Sequence, residues 1–268
     1  MPLHPMPLLG DTGHREMVAW LTEIAGRLRK PSAILVISAH WEESVPTITS
    51  GSSPSLIYDY FGFPPESYDI KYPCSGEPVL AGQVHKVLEK AGISARLDEL
   101  RGFDHGLFVP LKLMYPQADI PCAQLSLVNS LDVTTHLAIG RALQVLDYEN
   151  LLVMGSGFSF HNMRALFSPK TPDIQAANEA FEDWLKETCT SAGMEEPKRA
   201  ERLVHWDRAP YSRFCHPREE HLLPLHVCYG LAGKPCDPHI SARILGKKSG
   251  IVYWGSESLA DLSTKVPS

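Results

Sequence analysis

The run Ala33-Ile34-Leu35-Val36-Ile37-Ser38 constrains the fold more than any other stretch of the sequence. It is continuously apolar and rich in β-branched residues, so it does not alternate a wet face with a dry one. Such a segment reads as a strand covered on both faces, as in the middle of a parallel sheet. It stops abruptly at Ala39-His40-Trp41. Three further runs resemble it: residues 120–128, residues 151–154 ahead of Gly155-Ser156-Gly157, and residues 251–254. Helical patterns lie between them at 16–28, 78–91, 107–114, 133–146 and 174–189. Another is expected to begin near Glu219 and run through His221 towards Tyr229, with Gly230 near its end. Alternation of this kind implies an α/β fold with a central, mostly parallel sheet flanked by helices, in one domain spanning residues 1–268. The Pro-, Gly- and Tyr-rich residues 52–73 form an excursion able to cover a site. The charged residues 195–202 read as a solvated connection.

Charge and cysteine usage narrow the partners. The net charge is -6, and the local basic patch of Arg27, Arg29 and Lys30 is too short to track phosphates, so no nucleic-acid partner is expected. No apolar run approaches the roughly 20 residues of a membrane span. The N-terminal residues lack a basic segment followed by an apolar one. The expectation is therefore a cytoplasmic protein without a membrane partner. The six cysteines are scattered without a C-x-x-C pair, which fits reduced structural thiols better than disulfides or a zinc ribbon.

Ligands of open α/β sheets bind beyond the carboxyl ends of the strands. His40 lies past the end of the first run, and His161 comes after the Gly155-Ser156-Gly157 end of another, so both fall on that edge. His105 sits in the tight polar phrase Gly102-Phe103-Asp104-His105-Gly106, and His221 is preceded by Glu219-Glu220. On a helix, Glu220 and His221 would not share one direction, so at most one would point at a metal. Each of these histidines alone is as compatible with a hydrogen-bonded structural role as with ligation. None belongs to a compact H-E-x-x-H pattern.

Their surroundings add more. The phrases Ser38-Ala39-His40-Trp41, Gly62-Phe63-Pro64, Tyr72-Pro73, Gly102-Phe103-Asp104-His105-Gly106 and Met114-Tyr115-Pro116-Gln117-Ala118-Asp119-Ile120-Pro121 occur in order. After them come Gln124-Leu125-Ser126, Gly155-Ser156-Gly157, His161-Asn162 and Glu220-His221-Leu222-Leu223-Pro224-Leu225. Together they resemble the class III extradiol dioxygenases of the DOPA 4,5-dioxygenase type, relatives of the catalytic subunit of protocatechuate 4,5-dioxygenase. The resemblance runs from about Pro5 to about Leu231. It implies one non-haem Fe(II), or Zn(II) as found, and a small catecholic substrate whose ring is opened with O2. It implies His40 and His221 as metal ligands and His161 as the catalytic base or a further ligand. His105 would be a second catalytic histidine, positioned by Asp104. Trp41, Phe103 and Phe108 are candidates to wall an aromatic pocket, with core packing the expected role for at least two of them.

One departure bears on the site. Members of that family carry a first metal ligand in an N-terminal His-Gly turn that ends the first strand. Here Pro5-Met6-Pro7-Leu8-Leu9-Gly10-Asp11 resembles the segment just after that turn, which leaves the first strand absent. The readings are a chain that starts late, His4 as a replacement ligand, or loss of metal chemistry; His14 is a weaker substitute. Loss of a strand would leave backbone groups of its neighbours unpaired. Beside ring opening, the histidine set admits a zinc-dependent hydrolase or an impaired relative that binds aromatic ligands.

Overall fold

A computed structural model describes residues 5–169, 171–236 and 239–255. The apolar run forms β1 (Ala33–Glu43), whose residues Ala33 to Ile37 are wholly shielded from solvent. The main sheet adds β2 (Thr47–Thr49), β3 (Arg96–Asp98), β4 (Cys122–Val128) and β5 (Leu151–Ser156), in the order β3-β2-β4-β1-β5. β1 pairs in parallel with β4 and with β5, and β2 with β3. Only the short β2–β4 contact is antiparallel. The sheet is thus mostly parallel, as the buried runs imply.

Helices α1 (Arg15–Arg27), α2 (Pro78–Lys90), α3 (His105–Met114), α4 (Val133–Ala142), α5 (Met163–Phe167), α6 (Pro172–Thr190), α7 (Glu196–Val204), α8 (Ser212–Cys215) and α9 (Leu223–Ala232) surround it. Their starts reflect local chemistry. Asp132 accepts the Thr135 N–H at 2.7 Å to cap α4, and Thr171 caps α6 ahead of Pro172. Where α4 and α9 cross, the backbones nearly touch: a side chain at Gly140 would begin 2.1 Å from the Val227 carbonyl oxygen. Gly140→Ala is therefore expected to cost about 1–3 kcal/mol by overpacking, read as a lower Tm with the sheet retained by circular dichroism.

Four expectations are corrected. Residues 251–254 do not form a central strand: β7 (Lys247–Val252) pairs antiparallel with β6 (His239–Ile244) in a separate ribbon. The sign was the Leu245-Gly246 pair, whose positive φ values of 50° and 77° make a tight hairpin turn. The last helix begins at Leu223 rather than near Glu219; it runs to Ala232, with Gly230 near its end as expected, and is capped by Gly233 in the left-handed region at φ 59°. Pro224 is tolerated in a first turn but would break a helix running through from Glu219. The charged residues 195–202 fall largely in α7, because Arg199 is fully buried and donates to the carbonyls of Ser191 and Met194 at 2.7 and 3.0 Å. Finally, α4 stops at Ala142, giving way to a 3-10 turn, Leu143–Val145.

β5 is the terminal strand of the sheet, and its outer edge carries no partner strand among the described residues. Beside it runs an apolar cavity of about 700 Å³, walled by Met17 and Ile24 of α1, Met154 of β5, Pro224 of α9 and Val252 of β7, and reaching His221. No disulfide links the six cysteines, and all but Cys228 are buried. No helix among the described residues is long and apolar enough to cross a membrane.

Candidate metal centre

His40 owes its position to an irregularity in β1. The strand matches β4 in step from Ile34 to Ile37, then resumes at Glu42 opposite Leu127, so Ser38 to Trp41 bulge out of that ladder. Bulges re-aim side chains at sheet ends. Here the bulge is pinned by Ser38, whose hydroxyl accepts the His40 N–H at 3.2 Å and donates to Asp104 at 2.9 Å. β1 therefore continues past the point where the sequence suggested an end, while its pairing with β5 stops at Ser38–Ser156.

The end of β5 brings in the second histidine pair. A side chain at Gly157 would begin 2.3 Å from the His221 carbonyl oxygen, and Phe158 N–H donates to that same oxygen at 2.9 Å. Only glycine permits so close an approach. The chain then reaches His161, whose N–H donates to Cys215 O, and α5 starts on the Asn162 cap. The rings of His161 and His221 stack with centroids 3.6 Å apart. His221 lies in the turn before α9, so Glu220 is free of helical geometry and its carboxylate meets His161 Nδ1 at 2.9 Å. Arg218 bridges Glu42 through two contacts of 2.6 Å and stands 3.5 Å from the other Glu220 oxygen.

His105 opens α3, with its ring centroid 3.9 Å from that of His40, which in turn is 4.8 Å from that of His221. Asp104 does not position the His105 ring, contrary to expectation. It caps α3 through Gly106 N–H and accepts from Ser38, Gln124 and Arg101. Burial, with the charge of Asp59 adding, pushes its carboxyl above the usual range. The partner of His105 is Asp59, whose Oδ1 lies 2.7 Å from Nδ1. The 52–73 excursion carries it there. Trp41, Phe103 and Phe108 are all core residues, Trp41 lying under the Arg101 guanidinium at 4.2 Å.

The site's electrostatics favour neutral imidazoles. Burial, with His105 nearby, holds His40 well below the ordinary histidine value; burial likewise holds His221 down, with His40 and His161 among the contributors. Burial lowers His161 too, against the opposing Glu220 hydrogen bond. Burial would raise Glu220, but the His161 hydrogen bond and charge outweigh it and keep the carboxyl low. Two groups have donor atoms close enough to share a metal, within 4.8 Å: His40, Asp59 and His105, and His161, Glu220 and His221. His105 Nε2 is buried with no hydrogen-bond partner. Neutral imidazoles and carboxylates are the donor set of first-row divalent metals, so the residues fit one. His4 lies outside the described residues. His14 is buried against Asp11 at 2.5 Å and belongs to neither group.

A mostly parallel α/β sheet whose strand ends gather imidazoles and carboxylates is the setting of an enzyme able to hold a divalent metal. Residues 11–249 match the family described as "Catalytic LigB subunit of aromatic ring-opening dioxygenase", and the chain belongs to it, among the class III extradiol ring-cleavage dioxygenases. It is 37% identical to Dioxygenase tasH of Hapsidospora irregularis, covering 95% of this chain and 83% of that one. It is 39% identical to the 4,5-DOPA dioxygenase extradiol of Beta vulgaris, covering 86% and 84%. A crystal structure of an uncharacterized Escherichia coli K12 protein superposes with a TM-score of 0.69 at 29% identity, covering 87% of this chain and 91% of that one.

The sequence reading missed Asp59 and the pairing of Glu220 with His161. Nothing in Tyr58-Asp59-Tyr60 marks a site from sequence alone. Glu220 is visible beside His221, but the segment is a turn rather than a helix, so the helical bar on both facing one group does not apply.

Proposed function

We propose that the protein is a non-haem Fe(II) extradiol dioxygenase, able also to hold Zn(II), that opens the ring of a small catecholic substrate with O2. The observation that supports it most is the convergence of His40, His105, His161 and His221 from four separate segments at one end of the sheet. In this reading His40 and His221 hold the metal. Bound there, the metal would bring both catechol oxygens and O2 together and let electron density pass between them.

The protein's own groups handle the protons. Glu220, facing His161 Nδ1, keeps a proton on that nitrogen and leaves Nε2 to take one from a catechol hydroxyl. The imidazolium so formed is stabilised by the same carboxylate. His105, its Nε2 directed into the buried interior, is the second proton-handling group. Tyr60 packs against the His105 ring, and Phe108 against Tyr58 and Tyr60, so aromatic rings line this side of the histidine cluster.

Protein loaded anaerobically with Fe(II) is expected to consume O2 and form a yellow ring-opened product from members of a catechol panel. An oxygen electrode and visible absorbance measure both. Metal-dependent ester or amide cleavage without oxygen uptake would replace this reading with a hydrolase. Catechol binding without stoichiometric metal would replace it with an impaired relative.

A further inference from the structure

We infer that Asp59, on the excursion between β2 and α2, is the positioning residue of His105: it fixes the ring as the Nδ1–H tautomer and so leaves a bare Nε2 lone pair on the ring beside His40. The inference rests on the catalytic reading of His105, but its central test does not use turnover.

The placement begins in the backbone. Leu56 and Phe103 form a parallel bridge, with Ile57 N–H donating to Phe103 O and Phe103 N–H to Ser55 O, both at 2.8 Å. Two parallel segments leaving one bridge run side by side, which carries Asp59 alongside His105 despite their distance in sequence. The tyrosines on either side of Asp59 anchor the excursion to itself. Tyr58 donates to Ile70 O at 2.6 Å and Tyr60 to Ser67 O at 2.7 Å. Tyr60 also packs edge-on against the His105 ring, with centroids 5.5 Å apart.

Asp59 Oδ1 then receives two groups of the same residue, the His105 backbone N–H at 3.1 Å and ring Nδ1 at 2.7 Å. A carboxylate only accepts, so Nδ1 carries the hydrogen, and in the neutral ring Nε2 carries none. That Nε2 is the buried ring atom without a partner, in the ring beside His40. Without Asp59 no hydrogen bond to the ring among the described residues distinguishes the two tautomers, and the Nε2–H form would bury a donor there in place of an acceptor. The arrangement matches Glu220 on His161, so each proton-handling histidine has a carboxylate behind it, one supplied by the excursion and one by the turn before α9.

The test is histidine ring nitrogen NMR on metal-free protein, with His105 assigned through His105→Gln. Wild type is expected to show Nδ1–H at His105. Asp59→Ala is expected to lose it, and Asp59→Glu to restore it. On Fe(II)-loaded protein Asp59→Ala should lower kcat by about 10–100-fold with a much smaller change in KM, the scale at which groups behind a site residue act. Asp104→Asn is the contrast: its amide oxygen can keep the Ser38 and Gly106 bonds, but its NH2 cannot accept from Gln124 and Arg101, so Tm should fall while the His105 tautomer is unchanged. Retention of Nδ1–H in folded Asp59→Ala would overturn the inference whatever the activity. Loss of metal uptake in Asp59→Ala with the tautomer intact would overturn it too, and would make Asp59 a ligand with His40 and His105. If the tautomer behaves as expected but no variant or wild type consumes O2, the positioning role stands and the dioxygenase reading fails.

Discussion

His221→Ala is expected to abolish metal retention and turnover together, with a loss exceeding the roughly 10–100-fold seen when residues behind a ligand are removed. The ring is buried, stacked on His161 and edge-on to His40. Burial keeps it neutral, so its lone pair is available without first losing a proton. Alanine at 221 leaves the backbone carbonyl in place to accept Phe158 N–H, so the junction between β5 and α9 should survive. The control is His226→Gln, five positions on. His226 is equally buried, but its nitrogens face the carbonyls of Leu222 and Leu203. That change is expected to lower Tm and leave metal stoichiometry intact. Metal analysis after gel filtration decides between the outcomes: a His221→Ala protein that keeps one tight metal would remove His221 from the centre.

The sequence is legible where a strand or a turn has to show itself locally. Residues 33–37 are buried on both faces, and only a central strand explains such a run, so β1 and the sheet around it were legible. His40 and His161 were legible for the same reason, as polar residues at the ends of such runs. The short β2 and β3 carry too few residues to establish a period, and residues 251–254 had the composition of a core strand but the pairing of a hairpin. His221 falls in the stretch expected to be helical from Glu219, but with Pro224 in its first turn the helix starts only at Leu223, which leaves His221 in the turn before it. Asp59 was illegible: its role depends on a bridge between residues 56 and 103, and a contact that distant leaves no local mark. Arg199 was hidden in a charged run because a buried guanidinium satisfied by carbonyls looks, in sequence, like a solvated one.

Glu182→Gln is expected to stabilise the protein in mild alkali and change little in mild acid. Glu182 projects from α6 into a fully buried space beside β7, where a side chain at Gly250 would begin 3.2 Å from its Oε2. Burial pushes its carboxyl from 4.5 up to about 8, with Ser159 and Lys248 offsetting only part of that cost. This raised value sets the direction of the pH effect. Below about pH 4.5 folded and unfolded chains both hold the proton; between there and about pH 8 the unfolded chain has lost it and the folded one has not. The unfolded state then binds fewer protons, so stability falls as pH rises across that window. At about 1.36 kcal/mol per pH unit the accumulated loss is several kcal/mol by pH 8. Glutamine keeps the shape and a donor without the titration, so thermal unfolding of the variant should match wild type near pH 5 and exceed it at pH 8.5. The gap should be on the order of 5–10 °C for a chain of this length. Ser159, the hydroxyl facing Glu182, precedes His161 by two residues, so oxygen uptake at pH 6 serves as the check that the substitution left the site in place. Equal stability of the two proteins at both pH values would mean that the Glu182 carboxyl titrates alike in the folded and unfolded chains, which would remove it as a source of pH-dependent stability.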